Sequence, residues 1–377
     1  MSFDHVHPTH ARIDVDAFRS NFRVVRSIVG PQVRIIPVVK ANAYGHGVMP
    51  LSRAALDEGA SMLAVARSIE AFQLRDEGIA GRILLFEIVP REHEERCLEE
   101  DCDLTVVTLE AAQRLSAAAG RRGGTARVHV KIDTGMGRLG MPFGHAADLV
   151  LAVSRLPHMV VEGVYSHFAT AESQDQEFAL LQLERFKGVL KALKDFGLRP
   201  PYIHIANSGA ILSLPGAQFT AVRPGLMLYG FTPRRGMEGE SLLRPVLSLR
   251  SCVSALKSVG PGTSISYGRR YITDRPTRIA TVPVGYADGY SRLLTNRGSV
   301  LIHGRRYPVA GTVCMDHLMV DVGPTGSVSE GDEVVLIGRD GGDEISGWDV
   351  ADLMGTIPYE VTCLITSRVP RLPVDRG

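Results

Sequence analysis

Apolar residues in the first two-thirds of the chain fall into short runs of strand length, separated by segments with helical spacing. The runs 34–40, 61–66, 82–86, 104–108, 126–133, 160–168, 202–207 and 219–223 predict eight strands. Between most of them lies room for a helix. The clearest is 175–196, where Phe178, Leu181, Phe186, Val189, Leu190 and Leu193 form one face, charges the other, and Gly197 a C-terminal cap. Another is expected over 48–58. This alternation predicts parallel pairing, and eight such units over about 200 residues predict a closed (β/α)8 TIM barrel. The pattern is weakest after Asn207, where 208–214 is barely two turns before Pro215. A doubly wound open sheet fits the periodicity as well.

One run is unusual. In Arg127-Val-His129-Val-Lys131-Ile-Asp133 the polar residues share one face and Val128, Val130 and Ile132 the other. If the apolar face meets the helices, a polar column points into the barrel, where branched apolar layers are usual. Alone, the segment reads more simply as an edge strand with one solvated face.

Around 234–243 the character changes. Thr232-Pro-Arg-Arg-Gly-Met-Glu-Gly-Glu is charged and turn-rich, a linker or long loop. The β-rich runs 246–259, 277–286, 299–309, 313–322 and 333–337 follow, and one short helix is expected from Ser346, an N-cap candidate, to Met354. Two domains are therefore expected: a barrel over 1–234 and a mainly β domain over 235–377, with residues 1–11 open to packing on the second.

Composition adds little to this picture. The 377 residues suit two domains, and 42 basic against 41 acidic residues give no reason to expect nucleic acid or an anionic membrane. No apolar stretch approaches the roughly 18 residues of a membrane span. The N-terminus, with Asp4, three histidines and Pro8, has no apolar signal segment. The five cysteines form neither a CxxC pair nor a disulfide framework, so the cytoplasm is the expected compartment, and no metal is expected.

Chemistry enters at Arg34-Ile-Ile-Pro-Val-Val-Lys40-Ala-Asn-Ala-Tyr44-Gly-His-Gly47, a strand-like run that ends on a lysine before a glycine-containing turn. Burial lowers a lysine's pKa and makes it a nucleophile able to form an imine. An arbitrary lysine here would simply snorkel to solvent. Other strand ends carry Asp133 with Arg138 beyond it, His167, Asn207-Ser208, and Arg223 ahead of Pro224-Gly225-Leu226. That is the face where barrel enzymes place their sites, and the last two loops are where such barrels hold a phosphate. The second half offers Tyr267, Tyr286, Cys314-Met315-Asp316 and Tyr359. Taken singly, each tyrosine reads as a packed aromatic and Cys314 as an inert thiol.

Together these motifs resemble the alanine racemases, over residues 12–371 and in family order. They are Val-Val-Lys40-Ala-Asn-Ala-Tyr-Gly-His-Gly, Lys131-Ile-Asp-Thr-Gly-Met-Gly-Arg-Leu-Gly, Ser166-His-Phe-Ala-Thr-Ala-Glu and His204-Ile-Ala-Asn-Ser, followed by Val222-Arg-Pro-Gly-Leu-Met-Leu-Tyr-Gly. Ser266-Tyr-Gly-Arg, Gly285-Tyr-Ala-Asp-Gly, Ala310-Gly-Thr-Val-Cys-Met-Asp and Ser367-Arg-Val-Pro-Arg complete the set. Departures are slight: Ser166 and Glu172 stand where the family often has Thr and Asp.

The resemblance implies a barrel plus a β domain and a head-to-tail homodimer that shares its active sites. It further implies pyridoxal 5′-phosphate held as an imine on Lys40, and interconversion of L- and D-alanine by two bases, supplying D-alanine for peptidoglycan. By position, Lys40 is one base and Tyr267 of the partner subunit the other, activated by Arg269 and Arg138. Arg138 and the N–H of Met315, flanked by Cys314 and Asp316, bind the substrate carboxylate. Tyr44, Asn207, Ser208, Gly225, Leu226 and Tyr359 surround the cofactor phosphate. Arg223 donates to the pyridine nitrogen, with His167 and His204 in support; a permanent cation there keeps that nitrogen unprotonated, which favours reprotonation over transamination. Tyr286 and Tyr359 narrow the entrance to suit a small substrate. Similar racemases carry a carbamate on the lysine matching Lys131; otherwise that lysine is expected to pair with Asp133. Competing readings are a racemase of serine or a cationic amino acid, a non-catalytic pyridoxal-phosphate carrier, which lacks the β domain, and a barrel-type decarboxylase, which pairs the pyridine nitrogen with an acid.

Overall fold

Eight short parallel strands close on themselves between Arg34 and Val222. They are Arg34–Ile35, Leu63–Val65, Ile83–Leu85, Leu104–Val106, Ala126–Asp133, Met159–Tyr165, Tyr202–His204 and Ala221–Val222. Parallel ladders or single bridges join them in order, Val38 to Ala64 and Leu84 to Asp103 being the single bridges. The eighth strand pairs with the first, and the N–H groups of Thr220 and Arg223 donate to the carbonyls of Ile203 and Ala206, so the sheet is a closed barrel and not an open one. The computed structural model describes residues 7–374. Residues 18–43 and 48–244 form the barrel unit; 7–17, 44–47 and 245–374 form a second unit. Of the expected packing of residues 1–11, residues 1–6 lie outside the described residues, and the turn-rich stretch 234–243 belongs to the barrel unit.

Local chemistry explains the barrel helices. Thr108 and Asn207 cap two of them, their side-chain oxygens accepting from the N–H groups of Ala111 and Ala210. Such caps contribute about 1 kcal/mol each. Gly197 follows helix Glu177–Asp195 with φ +77, as a left-handed C-terminal cap requires. The buried stripe of that helix differs from the expected one. Ala179, Gln182, Leu183, Phe186, Val189 and Leu193 face inward, while Phe178 and Leu181 are exposed. Gln182 earns its place by hydrogen bonding: its Oε1 accepts the Ala169 N–H and its Nε2 donates to the His167 carbonyl.

The fifth strand, Ala126–Asp133, lies between the fourth and sixth, so the edge-strand reading is overturned. His129 is fully buried and Lys131 is 6% exposed, both inside the barrel. The first strand is shorter than expected. Pairing stops at Ile35, apart from the bridge at Val38, and Lys40 opens a turn.

In the second unit the longest sheet runs in the order Arg305–Pro308, Ser299–Ile302, Glu333–Asp340, Leu247–Cys252, His10–Asp14, Arg371–Val374. A three-stranded sheet joins Ala255–Val259, Thr277–Val282 and Leu318–Gly323, and Ser264–Ile265 pairs with Tyr271–Ile272. Four expected runs change form: 246–259 breaks into two strands, 277–286 is strand only as far as Val282, 299–309 folds into a hairpin, and 313–322 becomes strand only from Leu318. Helix Gly347–Met354 begins at the expected cap, with Ser346 Oγ accepting the Asp349 N–H. Helix Pro358–Leu364 and both terminal strands have no counterpart in the sequence reading.

Candidate active site

Lys40 opens a left-handed helical turn. Ala41, Asn42, Ala43 and Tyr44 all have φ between 53 and 54. No glycine relieves them, and each non-glycine residue in this region costs roughly 1–2 kcal/mol. Three hydrogen bonds offset that cost. Ala41 N–H donates to Glu70 Oε1 at 2.6 Å, Ala43 N–H to the Val39 carbonyl at 2.8 Å, and Val48 N–H, opening the next helix, to Asn42 Oδ1 at 2.8 Å. Lys40 therefore leaves the backbone at a point of defined, strained geometry.

Arg223 follows the eighth strand and is 3% exposed. Its Nη1 donates to His204 Nδ1 at 2.6 Å, and its Nη2 donates to the carbonyls of Ser166 at 2.7 Å and Ile205 at 3.2 Å, with His167 Nδ1 at 3.3 Å. Among the described residues no protein acceptor takes its Nε–H. Burial draws its pKa down to about 10, still far above neutral pH. Burial and then Arg223 hold His167 and His204 well below the ordinary histidine value, so both are neutral.

Lys131 sits near this cation. Burial first, then the charges of Arg138 and Arg223, lower its pKa to about 8. Asp133 is otherwise engaged: its carboxylate accepts from the N–H groups of Gly135, Met136 and Gly137 and shapes the loop that carries Arg138. At the seventh and eighth strand ends, Ser208 Oγ accepts from the N–H groups of Gly225 at 3.0 Å and Met227 at 3.3 Å. Gly225 N–H is thus engaged rather than open, while the Ser208 hydroxyl keeps its own proton to donate.

The second unit assembles two groups of its own. The rings of Tyr44 and Tyr359 lie 5.6 Å apart, and burial raises the Tyr44 pKa, keeping it a neutral donor. Gly45 makes this approach possible, since a Cβ there would lie 2.1 Å from the Thr362 carbonyl oxygen. Arg371 ties the segment down, its Nε donating to the Gly45 carbonyl at 3.0 Å. The other group lines a pocket of about 470 Å³ that brings Tyr267, Tyr286, Cys314, Met315 and Asp316 together from three distant segments. Tyr267 is 72% exposed there. Two clasps lock the loops: Ser266 Oγ donates to the Thr312 carbonyl at 2.6 Å, and Thr312 Oγ1 to the Tyr267 carbonyl at 2.7 Å. Gly285 backs them, because a Cβ there would meet the Met315 and Cys314 carbonyls at 2.2 and 2.3 Å. Arg269 has φ +51 in the same loop. Sequence reasoning missed Glu70 and Gln182, whose residue types recur throughout the chain, and gave no role to Ser266 and Thr312, although both stand in the quoted motifs.

A closed eight-stranded barrel with a lysine and several cationic or imidazole groups at its carboxyl-end strand termini defines a barrel enzyme with its site on that face. Comparisons place it further. Residues 13–233 match the family description "Alanine racemase, N-terminal domain" and residues 246–373 "Alanine racemase, C-terminal domain". The chain is 42% identical to "Alanine racemase 2" of Caldanaerobacter subterraneus subsp. tengcongensis, covering 100% of this chain and 97% of that protein. The solved alanine racemase of Clostridium difficile 630 superposes with a TM-score of 0.95 at 36% identity, over 99% of this chain and 97% of that one. That of Bacillus anthracis with bound L-Ala-P gives 0.91 at 37% identity, over 98% and 96%. The chain belongs to the alanine racemase family.

Proposed function

We propose that the chain is an isomerase that interconverts L- and D-alanine with pyridoxal 5′-phosphate held on Lys40, working in the cytoplasm as a homodimer and supplying D-alanine for peptidoglycan. The observation that carries this reading is Arg223. It is a buried, donor-only group at a barrel strand end, fixed through both Nη atoms and with its Nε–H left over. That suits an unprotonated pyridine nitrogen. The Ser208 hydroxyl and the neutral Tyr44 hydroxyl suit a phosphate. The residues present therefore fit the cofactor, which when bound withdraws electrons from the substrate α-carbon and acidifies its proton.

In this reading Tyr44, Asn207, Ser208, Leu226 and Tyr359 hold the phosphate, with Gly225 beside them, its N–H shared with Ser208 Oγ. Lys40 Nζ takes or returns the α-proton on one face, and Tyr267 of the partner subunit does so on the other. Arg138 and the N–H of Met315 of the partner subunit bind the carboxylate, which turns the α-carbon toward both bases. Tyr286 narrows the pocket mouth. No helix among the described residues is long and apolar enough to cross a membrane.

Incubation with pyridoxal phosphate and either alanine enantiomer in D2O, followed by chiral chromatography and mass spectrometry, tests the reading. It expects an equal mixture carrying α-deuterium. Retention of configuration with alanine, or faster racemisation of serine or lysine, rejects it. Borohydride reduction should fix one cofactor adduct, on Lys40.

A further inference from the structure

A buried polar column runs down the barrel interior behind Arg223, toward the amino ends of the strands. Arg223 Nη1 lies 2.6 Å from His204 Nδ1, and His204 Nε2 lies 3.0 Å from His129 Nδ1. A guanidinium has no acceptor, so His204 Nδ1 must present its lone pair and carry its proton on Nε2. That proton is donated to His129 Nδ1, which places the His129 proton on Nε2 in turn. His129 Nε2 is fully buried, has no hydrogen-bond partner among the described residues, and faces Asp103 Oδ1 at 4.0 Å. The fully buried Asp103 carboxylate is fixed by Arg82 at 2.6 and 3.0 Å and by Arg127 at 3.0 Å. The column thus has a cation at one end, an anion at the other, and two dipolar rings aligned between them.

We infer that Asp103 and His129 are positioning residues for Arg223: through His204 they fix both imidazole tautomers, so that an acceptor always faces the guanidinium and holds it in one orientation. This rests on the reading of Arg223 given above. The opposite tautomers would set a His204 N–H against an Arg223 N–H and a His129 lone pair against the Asp103 carboxylate, so both ends enforce the same direction. The packing holds both rings in place. Tyr165 stacks on His204 with ring centroids 4.9 Å apart and planes 3° from parallel, and a Cβ on Gly163 would lie 2.3 Å from His129 Nδ1. Burial, the largest influence on both histidines, keeps the rings neutral and outweighs the raising effect of Asp103 on His129.

The test begins with 15N-histidine NMR on the cofactor-loaded enzyme at pH 7. The expected result is Nε2–H on both His129 and His204; Nδ1–H on either overturns the column and needs no variant. His129→Leu removes the acceptor, whereas His129→Asn supplies an amide oxygen near the Nδ1 position. His129→Leu should leave His204 a mixture of tautomers and speed exchange of the Arg223 Nη protons at least tenfold; His129→Asn should restore both signals. In the loaded enzyme, His129→Leu should raise transamination per turnover about tenfold and lower kcat more than it raises KM, again with rescue by Asn. No change in any of these with His129→Leu rejects the inference. Failure of the reading beneath it shows elsewhere, as a pyridine 15N shift that does not respond to Arg223→Lys.

Discussion

Glu70 Oε1 accepts the Ala41 N–H at 2.6 Å while its Oε2 accepts those of Ala66 at 2.8 Å and Arg67 at 2.9 Å. One carboxylate therefore ties the strained turn after Lys40 to the end of the second barrel strand. Glu70→Ala is expected to cost about 1.5–3 kcal/mol in denaturant melts, the range for hydrogen bonds to a charged group. It should also accelerate amide exchange at 41–44. Wild-type exchange there in the variant would show that the turn holds itself.

Lys131 is expected to carry a carbamate. An amine with a pKa near 8 is partly neutral at physiological pH, and the neutral amine is the form that adds carbon dioxide. The resulting anion would replace a charge that repels Arg138 with one that can accept from its guanidinium. Carbon-13 bicarbonate NMR at neutral pH should show a carbamate carbon that is absent in Lys131→Ala. A saturated sample with no such signal rejects the modification.

The two bases should separate by face. Tyr267→Phe should abolish solvent exchange of the α-proton mainly from one alanine enantiomer, and Lys40→Ala mainly from the other, read by proton NMR in D2O. Equal losses from both enantiomers in both variants would contradict one base per face.

On the proposed reading, Tyr267, Tyr286 and Met315, which line one pocket, limit the substrate side chain. Alanine should lead serine by the tenfold to two-hundredfold that about 1–3 kcal/mol provides, and lysine should be excluded. Tyr286→Ala should narrow the alanine–serine gap in kcat/KM. Comparable wild-type rates with alanine and lysine would contradict this geometry.

Acid stability should bear the mark of the buried histidines. Burial lowers His129 from 6.5 to about 4. Between those values the unfolded chain binds a proton that the folded chain does not, so stability rises with pH across the window and is lost as pH falls from about 6.5 to about 4. His129 alone contributes about 3 kcal/mol to that loss, and His167 and His204 act in the same direction. Asp321, whose folded pKa lies below 3.8, adds its loss only below that range. Urea melts from pH 7 to 4.5 should show the decline, and His129→Asn should reduce its slope by one proton.

The eight barrel strands were legible because each is a short apolar run between helix-length segments, a signal that is local. Which face of 127–133 points inward was not, since alternation is identical on an edge strand and an interior one; pairing with a strand on each side excludes the edge, and the burial of His129 and Lys131 places the polar face inside. The helix over 177–195 misled for another reason: hydrophobicity favours Phe178 and Leu181, whereas the inward stripe uses the small Ala179 and the hydrogen-bonded Gln182. Among the described residues, the terminal strands, which carry Arg12, Arg371 and Pro373, pair only with each other and with Leu247–Cys252, across most of the chain length. At the site, Lys40 and Arg223 stood out at strand ends. The meeting of Tyr267 with Met315 is long-range, and only the family resemblance anticipated it.

Gly163 and His129 are neighbours on adjacent strands, and the glycine cannot vary while the imidazole stands. With the imidazole in place, any side chain at 163 starts 2.3 Å from a ring atom, so Gly163→Ala alone must displace the ring. A smaller residue at 129 opens that space. A scan of single substitutions would score position 163 as nearly immutable, whereas a library that also varies position 129 should recover folded combinations. Drift at position 163 is therefore gated by position 129, and lineages that lose the imidazole should be those able to fill position 163.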